Sequence, residues 1–407
     1  MKFYSAFQYI KIDISNSFGL DKETYQVRLD WFEANKHQLH ALVNQAEEPA
    51  QFYAGVLAYE DTLAGKPIGY LVGQDATASG LQCMAALTGC KVTAESVNLV
   101  DPTQRKDVYT SGHKVMQELL GEEISFERKD TKRAIMTTFY GSRKTPINLF
   151  GEGTPALKAF YQMLDVIAPG AHMLKNDLIN LWQPYALQHK WEMPDGFTCI
   201  VKVMDTKEES FEVNELKSSF THRYKVNQGT EKGLSLAANV IHSTDALMVR
   251  EINRRANYAP VQLERVYAIL SDSSYEEGDN TCEVSEEFIR LLVLAQKHSY
   301  VSPVLLDHVT KENAHIIPLW IKQQLVHIMD QMRRHKPFAV ISIHDCMKCH
   351  PLYMNYVREY YAEVMAQIAD STMLAAMASQ ISGKQVPVVK LSNDLSKYIR
   401  QSEYMLS

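Results

Sequence analysis

Residues 68–83 read IGYLVGQDATASGLQC. The apolar run at 68–72 reads as a buried strand. It closes on Asp75, and the polar turn Ala76-Thr77-Ala78-Ser79-Gly80 leads into a helical run from Leu81 to Leu87. A strand that stops on an acidic residue before a polar turn presents a carboxylate at a sheet edge. Residues 338–346, FAVISIHDC, repeat the design: an apolar strand that ends on His344-Asp345. If the two strands are neighbours in one sheet, Asp75 and Asp345 point into one cleft. Two carboxylates so placed repel unless they share a proton or hold divalent metal. Oxygen donors suit magnesium, and two such ions about 3.5–4 Å apart can clamp an in-line phosphoryl displacement. Spacing alone favours two unrelated aspartates that cap turns.

The second stretch carries a competing signal. Cys346-Met-Lys-Cys349-His350 spells the C-x-x-C-H pattern of c-type haem attachment. Haem attachment needs export, yet the opening MKFYSAFQYIKIDIS has no apolar h-region and no small-residue cleavage site. Zinc needs four tetrahedral ligands, and Cys83, Cys90, Cys199 and Cys282 are scattered singly. The reading is therefore two reduced cysteines in a turn. No apolar stretch approaches the roughly 18–20 residues of a membrane helix, so the expected compartment is the cytoplasm. The 407 residues are 46% hydrophobic and 22% charged, which suits two or three domains with real cores. A net charge of −6 excludes a generally basic nucleic-acid binder and leaves only local grooves. Candidates are Arg128-Lys129 with Lys132-Arg133, Arg250 with Arg254-Arg255, and Arg333-Arg334 with Lys336.

Between the two strands the pattern is mainly helical. Helices are expected over 24–47, 51–63, 103–120, 128–140, 154–167, 171–190, 233–256, 286–298, 313–335 and 351–369. Residues 197–204 read as a strand after the Pro194-Asp195-Gly196 turn, 205–232 as a surface hairpin, and 271–287 as an acidic loop. No 20–50-residue repeat is visible.

Arg128-x-x-x-Lys132-x7-Tyr140-Gly141 adds a third piece. Four-residue steps stay on one helix face, so this face offers two cations and a phenol, closed by a glycine. A solvated basic face with a core tyrosine is the commoner meaning of such a pattern.

Together and in this order, the three pieces resemble the motifs of polymerases related to DNA polymerase I. They are most similar to the single-subunit RNA polymerases of phages and mitochondria. The first motif there reads Asp-Gly-Ser-x-Ser-Gly-x-Gln-His; here it is Asp75-Ala-Thr-Ala-Ser-Gly80-Leu-Gln82-Cys83. The second is Arg-x3-Lys-Arg-x-x-Met-x3-Tyr-Gly, matched by Arg128, Lys132, Arg133, Met136, Tyr140 and Gly141. The third is apolar-His-Asp-Ser, matched by Ile343-His344-Asp345 with Cys346 in place of serine. A supporting His-Ser-x-Asp-Gly element appears as His242-Ser243-Thr244-Asp245-Ala246, and a Pro-Asp-Gly-Phe turn as Pro194 to Phe197.

The resemblance implies an α+β, mainly helical right hand whose palm rests on a small antiparallel sheet. Palm would cover 1–95 and 241–407, fingers 96–240, with a helical insertion at about 257–335 and a possible specificity hairpin at 205–232. It implies a DNA-directed RNA polymerase that adds ribonucleoside triphosphates to an RNA 3′-end. Asp75, Asp345 and the Ala76 carbonyl would hold two magnesium ions. Lys132 would meet the phosphates, with Arg128 and Arg133 beside it. Tyr140 and His242 would sit at the sugar, and His344 would buttress Asp345. Gly80 stands where DNA polymerases usually carry a glutamate that blocks a 2′-hydroxyl. A DNA polymerase of the same superfamily and a non-catalytic template-binding relative are the alternatives. Relatives carry a long N-terminal domain and a thumb before the first motif. Their absence here implies a second polypeptide that supplies them, as in N4-like heterodimeric phage RNA polymerases, whose larger subunit this chain resembles. The expected location is then the cytoplasm of a phage-infected cell.

Overall fold

A computed structural model describes residues 1–407 except 122–125, 232 and 272–283. Its organising element is a three-stranded antiparallel sheet. Strand β1 (Val72–Asp75) pairs with β7 (Cys346–Cys349), which pairs with β6 (Ile341–Ile343). The two carboxylate-bearing stretches are thus sheet neighbours. Val72 lies opposite Cys349 and Asp75 opposite Cys346, while the β6–β7 turn consists of His344 and Asp345. On the other side of β1, the residues 405–407 add an extended segment. The Ser407 amide donates to the Asp75 carbonyl at 2.9 Å, and the Thr77 amide donates to the Met405 carbonyl at 3.1 Å.

Helices enclose this sheet, so the chain is mainly helical with small antiparallel sheets. α1 (Ala6–Ser15), α2 (Tyr25–Asn35) and α3 (Pro49–Leu63) cover its N-terminal side. α4 (Ser79–Thr88) follows the Asp75 turn and is buried at every one of its ten residues. A helix apolar all round can only be a central one. The amide of Gln82 ties it to the backbone carbonyls of Val97 (3.0 Å) and Met405 (3.1 Å), and its carbonyl oxygen accepts from the Tyr361 hydroxyl at 2.6 Å. Next come α5 (Val108–Leu120), α6 (Arg128–Phe139), α7 (Pro155–Ile167) and α8 (Pro169–Asn180). A hairpin of β2 (Gln188–Glu192) and β3 (Thr198–Lys202) precedes an exposed one of β4 (Met204–Val213) and β5 (Ser218–Asn227). α9 (Ser235–Ala256) returns to the core. α10 (Pro260–Ser271), α11 (Glu286–His298) and α12 (Leu319–Met332) enclose a separate apolar cluster, centred on Leu325, Ile328 and Met329. α13 (Met354–Asp370) then packs against α4 and α9, ahead of α14 (Met373–Ser382).

Several expectations change. The apolar residues 68–71 are not strand; β1 occupies only 72–75. β6 is three residues long and exposed, not a buried strand over 338–343, because no helix covers its outer face: Ile341 and Ile343 are 49% and 52% exposed. The helix expected over 171–190 ends at Asn180, and residues 188–192 are strand, where His189 and Trp191 alternate inward. Cys346 and Cys349 lie on β7 and not in a turn. The acidic loop expected at 271–287 falls largely outside the described residues. Arg250 and Arg254 are not an open basic groove: both bind the buried Asp195 carboxylate, at 2.6 and 2.8 Å, and Arg255 is buried on Glu251. Although burial raises it, these partners hold the Asp195 carboxyl below the usual range. Among the described residues no helix is long and apolar enough to cross a membrane.

Candidate active site

The antiparallel register fixes the first relation. Asp75 ends β1, Asp345 immediately precedes β7, and the Ala76 amide donates to the Asp345 carbonyl at 3.3 Å. Both side chains line a cleft of about 610 Å³ with Ala76. Asp75 stays exposed at the strand end, yet the walls of the cleft partly desolvate it, and that loss of water followed by the charge of Asp345 raises its carboxyl to about 6. A third carboxylate lies close by: Asp245 on α9 accepts from the Ser79 hydroxyl at 3.3 Å, and burial followed by Asp345 raises it to about 6. A fourth, Asp13, also lines the cleft, is half-buried, and accepts from the Tyr70 hydroxyl (2.5 Å) and the Gly73 amide (2.8 Å); desolvation raises it too.

The opposite wall is α6. Its i, i+4, i+8 face brings Arg128, Lys132 and Met136 to the cleft. Arg128 is aimed by the Asp107 carboxylate and the Thr110 hydroxyl (2.7 Å) at the start of α5, and the Lys132 ammonium sits 5.3 Å from the Tyr109 ring centroid. Arg105 and Lys106 add two cations that the motif pattern did not single out. Arg133, one step round the helix, is exposed and does not line the cleft, so it is not grouped with the other two cations.

A smaller cavity of about 90 Å³ adjoins the cleft, lined by Ser79, Gly80, Met136, Tyr140 and Asp345. Tyr140 caps α6, and its ring lies 4.8 Å from that of His242, tilted by 35°. Gly80 allows this closeness, since a Cβ there would stand 2.4 Å from the Tyr140 hydroxyl oxygen. Gly141 ends the helix at φ 94°, and a Cβ there would meet the Leu234 carbonyl at 2.8 Å. His344 occupies the left-handed region at φ 56° and is exposed. Among the described residues no side-chain hydrogen bond joins it to Asp345.

The donor set fits hard cations. Asp75 and Asp345 stand at one corner of a cleft with no cation directly on either carboxylate among the described residues, and mutual repulsion contributes to the raised Asp75 carboxyl. No three His, Cys, Asp or Glu side chains among the described residues cluster as a metal centre. Two carboxylates with the remaining positions left to water and phosphate is the way magnesium is commonly bound. The cysteines next door are poor donors. Burial pushes the Cys346 thiol up to about 11 and that of Cys349 to about 12, so both stay protonated at neutral pH.

Residues 4–149 match the model of the DNA-dependent RNA polymerases. This stretch contains Asp75, Gly80, Arg128, Lys132 and Tyr140; His242, His344 and Asp345 lie beyond it. The chain is 35% identical over 162 residues to a probable DNA-directed RNA polymerase of Neurospora crassa, covering 34% of this chain and 18% of that protein. It is 30% identical over 166 residues to a mitochondrial DNA-directed RNA polymerase of the same organism, covering 34% and 12%. To a DNA-directed RNA polymerase of Pseudomonas phage phiKMV it is 27% identical over 169 residues, covering 33% and 21%. About a third of the chain is thus similar to DNA-directed RNA polymerases, phage and mitochondrial ones among them, and the chain spans no more than about a fifth of the length of these relatives.

Proposed function

We propose that this chain is the catalytic part of a DNA-directed RNA polymerase that joins ribonucleoside triphosphates to an RNA 3′-end on a DNA template. The observation that carries the reading is the shared cleft: Asp75 and Asp345 at one sheet corner face Arg128 and Lys132 on one helix face. Two magnesium ions held by Asp75, Asp345 and the Ala76 carbonyl would supply an acidified 3′-hydroxyl and charge neutralisation on the triphosphate. The chain's own residues do the rest. Lys132 and Arg128 take the phosphates, and Asp107 and Thr110 keep Arg128 aimed at them. Tyr140 and His242 meet the sugar, where a 2′-hydroxyl can both donate and accept. Gly80 leaves no side chain to exclude that hydroxyl.

In this reading the sheet and its flanking helices are palm, α5 to α8 are fingers, and the β4–β5 hairpin is a DNA-facing loop. DNA, nascent RNA and nucleotides are its partners, and a second polypeptide supplies further template-holding elements. The open edge of β6, with Ile341 and Ile343 exposed beside Asp345, offers it a surface. The test is magnesium-dependent extension of an RNA primer on single-stranded DNA, with and without co-expressed neighbouring polypeptides. Extension that Asp345→Asn abolishes is the expected result. Extension that survives this change at the wild-type rate, or deoxyribonucleotides preferred by the wild type, would overturn it.

A further inference from the structure

A cavity of about 290 Å³ opens just past Tyr140, on the far side of the end of α6. It is lined by Gly141, Ser142 and Arg143 from the loop after α6, by Tyr161 on α7, and by His172, Lys175 and Asn176 on α8. Lys175 is only 6% exposed. Among the described residues, neither its ammonium nor the Arg143 guanidinium has a hydrogen-bond or ion-pair partner. One carboxylate lies within electrostatic range, Asp165, and it is already engaged: it holds the His172 imidazole at 2.6 Å, with its own side chain 65% exposed. The side chain is largely buried while its ammonium keeps an opening to solvent, and an ammonium so placed is normally paired or given a ligand. Burial, and then the neighbouring Arg143, draw the Lys175 amine down to about 8, as uncompensated positive charge requires.

The donors converge as an anion site would need. The lining residues carry an ammonium, a guanidinium, the Asn176 amide and the Tyr161 hydroxyl, while the Ser142 hydroxyl is engaged with that of Thr145 at 3.2 Å. That set exceeds what a single carboxylate can use and suits the several oxygens of a tetrahedral oxyanion. Gly141 aims the loop: its φ of 94° turns the backbone sharply, so that Ser142 and Arg143 face α8 and not the nucleotide cleft.

We propose that Lys175 and Arg143 form a phosphate-binding site, separate from the cleft of Asp75, Asp345 and Lys132. Two sources share that chemistry: a phosphodiester of a bound nucleic-acid strand, and the phosphate of a free nucleotide or inorganic phosphate. The site itself stands on the cavity. Only the assignment to a template strand passing Tyr140 rests on the polymerase reading.

The experiment compares wild type with Lys175→Met, Arg143→Gln and, as a charge control, Lys158→Gln on α7. Lys175→Met removes a buried charge and keeps the stem, so its melting midpoint in chloride should equal or exceed that of wild type. Arg143 is exposed, so Arg143→Gln provides a second variant whose folding is not in question. Melting is followed in sodium phosphate and in chloride at equal ionic strength. Fluorescence anisotropy of a labelled twelve-nucleotide single-stranded DNA is recorded over a salt series. Phosphate should raise the midpoint of wild type and Lys158→Gln but not of the other two. For a strand phosphodiester, Lys175→Met and Arg143→Gln should also weaken DNA binding on the order of tenfold and flatten the log-log salt slope by about 0.7 per lost contact. Loss of the phosphate effect with DNA affinity intact assigns the site to free phosphate. Equal phosphate response and equal DNA affinity in all four proteins would overturn the proposal. Neither measurement needs nucleotide incorporation, so this result and the primer-extension result fail independently.

Discussion

The sheet corner and the helical unit at 260–332 are built on opposite plans. Around Asp75 and Asp345, carboxylates crowd a corner that stays open to solvent, and the Asp13, Asp75 and Asp245 carboxyls are all raised by partial desolvation, the last two also by Asp345. In the helical unit, Leu263, Val266, Phe288, Ile321, Leu325 and Ile328 fill a core of their own. The difference teaches where stability is sacrificed: like charges gathered at the corner lower it, and ordinary packing elsewhere offsets the loss. Even the link between the regions is polar and satisfied. Glu251 on α9 receives Arg255 at 2.7 Å, the Tyr300 hydroxyl at 3.0 Å and the Ser302 hydroxyl at 2.5 Å.

The contrast can be broken from either side. The largest effect should come from Asp345→Asn: nucleotide incorporation falls by more than the ~100-fold that loss of an outer-shell metal partner costs, while thermal unfolding shows no destabilisation. A midpoint that drops along with activity would mean the corner is a packing element after all. Leu325→Ala, in the helical unit, should cost about 2–5 kcal/mol of unfolding free energy and leave the metal dependence of incorporation unchanged. A changed magnesium dependence would tie the unit to the chemistry.

Asp245→Asn tests the sign of the electrostatic cost. The folded protein raises this carboxyl to about 6, so its favourable contribution is complete below the unfolded value near 4 and is lost as pH rises through 6. At pH 7.5 the wild type therefore bears an ionised, partly desolvated group that the amide avoids. The variant should be more stable there by up to about 3 kcal/mol, and the gap should close below pH 4. A gap independent of pH would point to altered packing in place of charge. The smallest effect is expected for Tyr140→Phe. Losing one hydroxyl contact of about 0.5–1.5 kcal/mol should lower ribose-over-deoxyribose preference by roughly two- to twelvefold, read from competing incorporation rates.

In the sequence, spacing alone favours two unrelated aspartates, and the corner becomes legible only when the motifs are taken together and in order. A strand end delivers a carboxylate, and a four-residue step keeps Arg128, Lys132 and Met136 on one face. The sequence's failures are contact-dependent. Nothing local shows that Gln82, deep in α4, holds the backbone at Val97 and Met405, or that residues 405–407 pair beside Asp75. Arg250 and Arg254 look like a basic patch until Asp195 arrives from a distant turn. Asp245 lay in a recognised element, yet its charge matters only through Asp345 in space. The run at 68–72 has strand composition, but its partner β7 is four residues long, so β1 is no longer. Lys175 gave no signal, because one lysine on an amphipathic helix normally faces solvent.

The gap at Gly80 has a further consequence. On α4 the Tyr140 hydroxyl occupies the place that a methyl group at 80 would take. A side chain added at 80 would first displace the Tyr140 ring, whose hydroxyl is the nearest atom to it, and with that ring its contact to His242. The residue at 80 and the Tyr140–His242 ring pair therefore share one small space, and a change in either has to be matched in the other.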